Sequence, residues 1–214
     1  MNRLKTLTLA LLMSGGLAAP ALSAPDDMTL GKADAKVTVI EYASTTCPHC
    51  ARWSEEVFPE FKKKYVDTGK VRYVLRELPT PPEELAAAGF LVARCAGGKY
   101  FEVVDDLWRD QTQLFKDRDA KGWLLRAGAK VGMNETKVAD CVNDQSQQQA
   151  FQAREEANLK DREVGGTPAV FVGSVKIGEG EIAFDKLSDE IDKQLKAAPA
   201  KAGKAAAKPK RKKR

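Results

Sequence analysis

A cysteine pair separated by two residues sits where an apolar, β-branched run ends and a helical periodicity begins. That junction limits the folds open to the chain. Residues 37–42, Val-Thr-Val-Ile-Glu-Tyr, are apolar and β-branched enough for a buried strand. Cys47-Pro48-His49-Cys50 follows after Ser44-Thr45-Thr46. Trp53, Val57, Phe61 and Tyr65 then recur at i+4 steps, which predicts a helix over residues 48–66. Pro59 falls inside that stretch and predicts a kink, because its ring removes a donor and crowds the preceding turn. Asp67-Thr68-Gly69 closes the helix. Residues 71–78 alternate as a second strand, with Val71, Tyr73 and Leu75 on one face. A strand–helix–strand unit of this length implies parallel strands joined by a right-handed crossover.

The remainder divides into a helical block and a second β-containing part. Residues 82–163 read as helical. Pro82-Glu83-Glu84 is a favourable helix start, and Gly97-Gly98 breaks that helix. Further helices are predicted over 99–110, 121–131 and 135–142. Ser146 with Gln149 suggests a capping box for a helix over 147–163. Gly165-Gly166 ends the block. Residues 168–172 and 175–177 are apolar runs around Gly173-Ser174, the signature of a tight antiparallel hairpin. A last amphipathic helix over 183–195 places Leu187, Ile191 and Leu195 on one face. The expected class is α/β: a β-α-β half and a β-β-α half (25–81 and 164–195), interrupted by an all-helical insertion domain (82–163).

Charge is concentrated at the two ends. The 214 residues carry a formal net charge of +5. Two cations lie in residues 1–24 and nine in 196–214, with no acid in either segment. Removing these eleven leaves residues 25–195 at −6. The basic balance therefore argues against a basic binding surface on the body, and no specific nucleic-acid partner is expected. Residues 1–24 read as a secretory signal peptide: Arg3 and Lys5, a short apolar stretch, then small residues at Ala18, Ala19, Ala21, Ser23 and Ala24. Cleavage is expected after Ser23, with Ala21 and Ala24 as alternatives. Export to the periplasm follows, where disulfides persist. Residues 196–214 are almost only Ala, Lys, Arg, Pro and Gly, and offer nothing to offset ordering entropy. A disordered tail, attracted to anionic surfaces, is expected there.

Two of four cysteines and the sole histidine share the Cys47–Cys50 motif. In this context a Cys-x-x-Cys pair reads as a redox centre. Cys47 lies at a helix N-terminus, where unpaired N–H groups and the helix dipole favour an anion. Pro48 suits the first turn. His49 offers a nearby donor, and a positive charge when protonated. All three favour a Cys47 thiolate, with a pKa lowered to roughly 3.5–7.5 as in such sites. A stabilised thiolate is a good leaving group, so a Cys47–Cys50 disulfide would act as an oxidant. A zinc site usually needs four ligands, and Cys95 and Cys141 stand alone. Covalent haem attachment needs histidine after the second cysteine, and position 51 is Ala. A purely structural bridge across two residues contributes little chain entropy. No metal or organic cofactor is expected beyond the Cys47–Cys50 couple. In an exported protein Cys95 and Cys141 suggest a second, structural disulfide. Closing its loop of roughly 47 residues contributes about 4 kcal/mol by chain entropy. Two buried free thiols are the alternative.

These residues resemble a known family. The Cys47-Pro48-His49-Cys50 motif, the helical block between the two halves, and Gly166-Thr167-Pro168 entering the third strand are similar to DsbA-type thiol:disulfide oxidoreductases. The likeness covers nearly all of residues 28–195. It implies a thioredoxin fold, a cis peptide bond at Pro168 facing the active-site disulfide, and backbone pairing of Thr167 with extended substrate. An ordinary trans proline opening an edge strand is the alternative for Pro168. The family carries a buried acid where Glu41 stands, implicated in proton movement. A carboxyl so placed has a raised pKa and can shuttle protons, whereas a strand-edge glutamate would face water. The resemblance further implies reduced or unfolded exported proteins as substrates, and re-oxidation by a quinone-linked inner-membrane partner of the DsbB type. DsbA itself has Val where Thr167 stands, and Thr there resembles isomerase-type members. About a dozen residues separate the expected cleavage site from the first strand, too few for the dimerisation domain of such isomerases, so a monomer is expected. The expected activity is the introduction of disulfide bonds through Cys47 and Cys50. Its rivals are an isomerase or reductase of the same fold, and a non-enzymatic polyanion-binding module acting through the basic tail.

Overall fold

A computed structural model describes residues 26–161 and 163–197. The expected signal peptide, and the tail from residue 198 onward, lie outside the described residues. Lys196 and Ala197 continue the last helix, so the tail expected from 196 begins no earlier than 198.

Among the described residues five strands form one sheet: β1 (Met28–Leu30), β2 (Val37–Ala43), β3 (Val71–Glu77), β4 (Ala169–Val172) and β5 (Val175–Glu179). Their order is β1-β3-β2-β4-β5. β2 and β3 are parallel, as the crossover predicts, and the other pairings are antiparallel. The sequence reading missed β1. Three residues are too few to show a period, and Met28–Leu30 is a strand because β3 offers it an open edge.

Alternation along β2 assigns its side chains. Val37, Val39 and Ala43 join the main core with Tyr73 and Leu75. Ile40 and Tyr42 point to the other face, packing with Val74 and Phe171. Glu41 shares the parity of Val39 and Ala43, which carries its carboxyl into the main core.

The crossover begins as α1 (Pro48–Glu56) and breaks at Val57. It resumes as α2 (Phe58–Phe61), then a π-helical stretch over Lys62–Val66. Pro59 sits at the start of α2, where its missing donor costs nothing. The predicted kink is thus a full restart of the helix. Trp53, Phe61 and Tyr65 are buried as the i+4 stripe requires.

Between β3 and β4 the described chain is helical: α3 (Glu83–Cys95), a 3-10 turn over Gly97–Lys99, α4 (Tyr100–Arg109), α5 (Gln111–Asp117), α6 (Ala120–Lys130), α7 (Glu135–Asn143) and α8 (Gln145–Asp161). The sequence reading left α5 out. The expected Ser146–Gln149 box does not form either. Asp144 Oδ1 accepts instead from the backbone of Ser146 at 2.9 Å and Gln147 at 3.2 Å, so α8 starts earlier. Asp144 caps the helix two residues upstream of the expected place, and the Ser146 hydroxyl, now inside the first turn, donates to the same carboxylate oxygen at 2.6 Å. The hairpin turns at Gly173, whose φ of +57° suits the first position of a two-residue loop. α9 (Phe184–Ala197) then packs Leu187 and Ile191 inward.

The helices share the core of the sheet. Trp53 and Tyr73 belong to the same buried cluster as Phe90, Val103, Leu107 and Trp123. A polar knot reinforces the junction. Glu77, buried at the end of β3, accepts from Arg94 Nε at 2.6 Å, Arg154 Nε at 3.1 Å and Tyr100 Oη at 3.1 Å. Its backbone carbonyl accepts from Asn158 at 2.9 Å. One carboxylate thereby ties α3, α4 and α8 to the sheet.

Candidate active site

Cys47 is the N-cap residue of α1, with Pro48 in the first turn. It is 6% exposed, and Cys50, one turn on, is fully buried. Both stand as free thiols. The residues before them, Ser44, Thr45 and Thr46, are buried as well. Burying three hydroxyls is tolerable only with partners. Ser44 Oγ accepts from the Thr80 N–H at 3.1 Å, Thr45 Oγ1 donates to the Ala86 carbonyl at 2.9 Å, and Thr46 Oγ1 donates to the Thr80 carbonyl at 3.0 Å.

The helical block grips this loop from above. Trp108 Nε1 donates to the Ser44 carbonyl at 2.9 Å. Gln111 Nε2 donates to the carbonyls of Thr45 at 2.7 Å and Cys47 at 3.2 Å. Gly89 lets α3 approach: a methyl group there would sit 2.7 Å from Thr45 Oγ1. Sequence reasoning missed Trp108, Gln111 and Gly89. The hydroxyl run Ser44-Thr45-Thr46 was the available signal, since it needs partners once buried.

The two sulfurs are pushed in opposite directions. The Cys47 thiol is lowered from 9.0 to about 5. The Cys50 thiol donating to its sulfur is the largest cause, and it outweighs the burial that acts against the anion. The nearby Thr167 side chain and the N–H groups of Cys50 and His49 act in the same direction. Cys50 is pushed well above 9.0 by burial first, then by its bond to Cys47 and the charges of Cys47 and Glu41. A pair so polarised holds one proton, on Cys50.

His49 contributes through its backbone N–H. Its imidazole turns outward, with Nδ1 3.9 Å from the Glu181 carboxylate, which also pairs with Arg52. The expected side-chain donor to Cys47 is therefore supplied by the main chain. His49, Arg52, Trp53, Ile182 and Ala183 border a groove of about 600 Å³ beside the cysteines.

Thr167 and Pro168 come from the far end of the chain. The Thr167–Pro168 peptide is cis, and Cys47 Sγ lies 3.2 Å from the Thr167 carbonyl. The Thr167 hydroxyl is buried without a hydrogen-bond partner. Glu41 is buried and faces the cysteines, not water. Its carboxyl is raised to about 8 by burial, against the Tyr73 hydrogen bond that lowers it, with the Cys47 charge raising it further. The structure thus brings Glu41, Cys47, Pro48, Cys50, Thr167 and Pro168 together. Cys95 and Cys141 are elsewhere and form a disulfide between α3 and α7, with their Cα atoms 6.0 Å apart. Among the described residues no cluster of His, Cys, Asp and Glu is placed to hold a metal ion.

Comparison with known proteins agrees with this geometry. The family model described as Thioredoxin matches residues 23–193. A Rickettsia conorii protein, named among protein-disulfide oxidoreductases, is 33% identical over 179 residues, covering 83% of this chain. The chain spans 63% of the length of that relative. Disulfide bond formation protein D of Bacillus subtilis is 25% identical over 175 residues, covering 78% of this chain and 76% of its own. The crystal structure of Wolbachia pipientis alpha-DsbA1 superposes with a TM-score of 0.75 at 25% identity, covering 83% of this chain and 95% of that one. The chain belongs to the thioredoxin family, in its DsbA-type group.

Proposed function

We propose that the chain is an exported thiol:disulfide oxidoreductase that oxidises pairs of cysteines in reduced substrate proteins. The carrying observation is the split between its sulfurs: Cys47, 6% exposed, is lowered to about 5, and Cys50, fully buried, is raised. In the oxidised protein a substrate thiolate attacks Cys47 Sγ. The Cys47–Cys50 bond breaks, its electron pair goes to Cys50, and a mixed disulfide forms. A second substrate thiolate attacks the substrate sulfur of that bond. Cys47 leaves as a thiolate, the substrate is left oxidised and the enzyme carries two reduced cysteines. A low pKa makes Cys47 a good leaving group and favours this direction. Glu41 supplies the proton that Cys50 takes up as it leaves.

The working place proposed is the periplasm, supported by the signal-like residues 1–24. The couple needs no further cofactor, and its re-oxidation is assigned to a membrane oxidase of the DsbB type, by kinship. Among the described residues no helix is long and apolar enough to cross a membrane.

The test is a reduction potential measured against glutathione, with turnover on a reduced model substrate for the wild type and Cys47→Ala. An oxidising potential and complete loss of turnover in Cys47→Ala support the proposal. A thioredoxin-like potential of about −270 mV would assign the chain to reduction instead.

A further inference from the structure

To supply a proton to Cys50, the Glu41 carboxyl has to be held in one orientation. In the register of β2 and β3, Tyr73 pairs with Val39, two places before Glu41 on the same face. The two side chains are diagonal neighbours, within reach for a long side chain. The Tyr73 hydroxyl donates to Glu41 Oε2 at 2.5 Å. The other oxygen, Oε1, is buried without a hydrogen-bond partner. A buried carboxyl with one oxygen held and one unmet is costly, and a task for the unmet oxygen explains why that cost is kept.

The tyrosine cannot swing away. Its ring is enclosed by Phe58, Phe61, Phe101 and Trp53, with centroids 5.0, 5.9, 5.9 and 6.5 Å distant. The titratable groups acting on this pair are Cys47 and Cys50 from α1 and Tyr100 from α4. Tyr73 itself is pushed well above 10 by burial, so it remains a neutral donor at any working pH.

We propose that Tyr73 is a positioning residue for proton exchange at Cys50: it holds Glu41 Oε2, so that Oε1 is the oxygen that gives and takes the Cys50 proton. The proposal rests on the redox reading above. When a substrate thiolate attacks Cys47, the Cys50 thiolate expelled from the disulfide takes the proton from Glu41. The carboxylate left behind keeps the Tyr73 hydrogen bond, which offsets its burial. In reverse, Cys50 attacks the mixed disulfide at Cys47 and expels substrate thiolate, while its proton moves to Glu41. No other reactant is needed.

The reverse step gives the test. A mixed disulfide is preformed on Cys47 with a small aromatic thiol, and its resolution by Cys50 is followed from pH 5 to 9. The rate should rise with pH as Glu41 ionises. Tyr73→Phe keeps the ring and its packing and removes the donor. The inflection should then move to higher pH by about one unit, a tenfold change in the Glu41 ionisation constant. Glu41→Gln should abolish the inflection, and Tyr73→Phe should add nothing in that background. The infrared carbonyl band of protonated Glu41, assigned by its loss in Glu41→Gln, should shift in Tyr73→Phe whatever the activity.

An unshifted inflection in Tyr73→Phe, or a shift that persists in Glu41→Gln, overturns the positioning role. So does an unmoved carbonyl band. A wild type that never resolves the mixed disulfide overturns the redox reading instead, and the two failures are thereby distinct.

Discussion

The side-chain amide of Gln111 donates to the carbonyl oxygen of Cys47 across 64 positions of sequence. The same amide reaches Thr45 at 2.7 Å. The loop carrying Cys47 is therefore set by the helical block as well as by β2 and α1. Gln111→Ala strips the Thr45 carbonyl of that donor inside the core. We expect a loss of about 1–3 kcal/mol in chemical denaturation, the usual cost of an unsatisfied buried polar group. The Cys47 pKa, read from thiolate absorbance, should rise as the loop loosens. An unchanged midpoint together with an unchanged titration would deny Gln111 this role.

The lowered Cys47 thiol makes stability depend on pH in the reduced protein only. Its folded value of about 5 lies below the 9.0 of an ordinary thiol. The stabilisation is complete above about 9 and is lost as pH falls through about 5. Glu41, raised to about 8, acts oppositely between about 4.5 and 8. It is present in both redox forms, so most of its effect cancels in their difference. The reduced form should gain on the oxidised form as pH is raised from 5 towards 8. Paired denaturation curves would show it, and a pH-independent gap would contradict it.

Gly89 lies in the middle of α3, where alanine would normally gain roughly 1 kcal/mol of helix propensity. Here the added methyl meets Thr45 Oγ1 at 2.7 Å, Thr45 Cβ at 3.1 Å and Leu107 Cδ1 at 3.2 Å. Overpacking of this kind costs about 1–3 kcal/mol. We expect Gly89→Ala to destabilise by about 1 kcal/mol net and to slow exchange at Cys47. A stabilised variant would show that α3 yields without disturbing the loop.

The Cys95–Cys141 disulfide closes a loop spanning 46 positions. Replacing both cysteines with serine should cost up to about 4 kcal/mol through the unfolded chain. Neither residue contacts the Cys47 loop in any hydrogen bond described above, so the rate of exchange per folded molecule should be unchanged. Thermal unfolding beside an activity assay separates the two effects.

How much was legible in advance follows from the range of each signal. The strand–Cys-x-x-Cys–helix junction, the disturbance of the helix at Pro59, the Gly173 turn and most helix starts depend on neighbours within a few residues. Glycine, proline, hydroxyls and hydrophobic period report such preferences directly. By itself the sequence thus determined the order of most elements and placed the Cys47–Cys50 pair at a strand–helix junction. Other features depend on which distant segments meet. β1 is a strand because β3 has a free edge, and the direction of the His49 imidazole follows from Glu181 on the far side of the groove. The depth at which Glu41 lies, Tyr73 at its oxygen, Gln111 over Cys47 and Thr167 beside the sulfur were decided by the tertiary structure alone. Contacts spanning 32 to 120 positions carry no local signature, because they exist only once the sheet has closed and the helices have covered it.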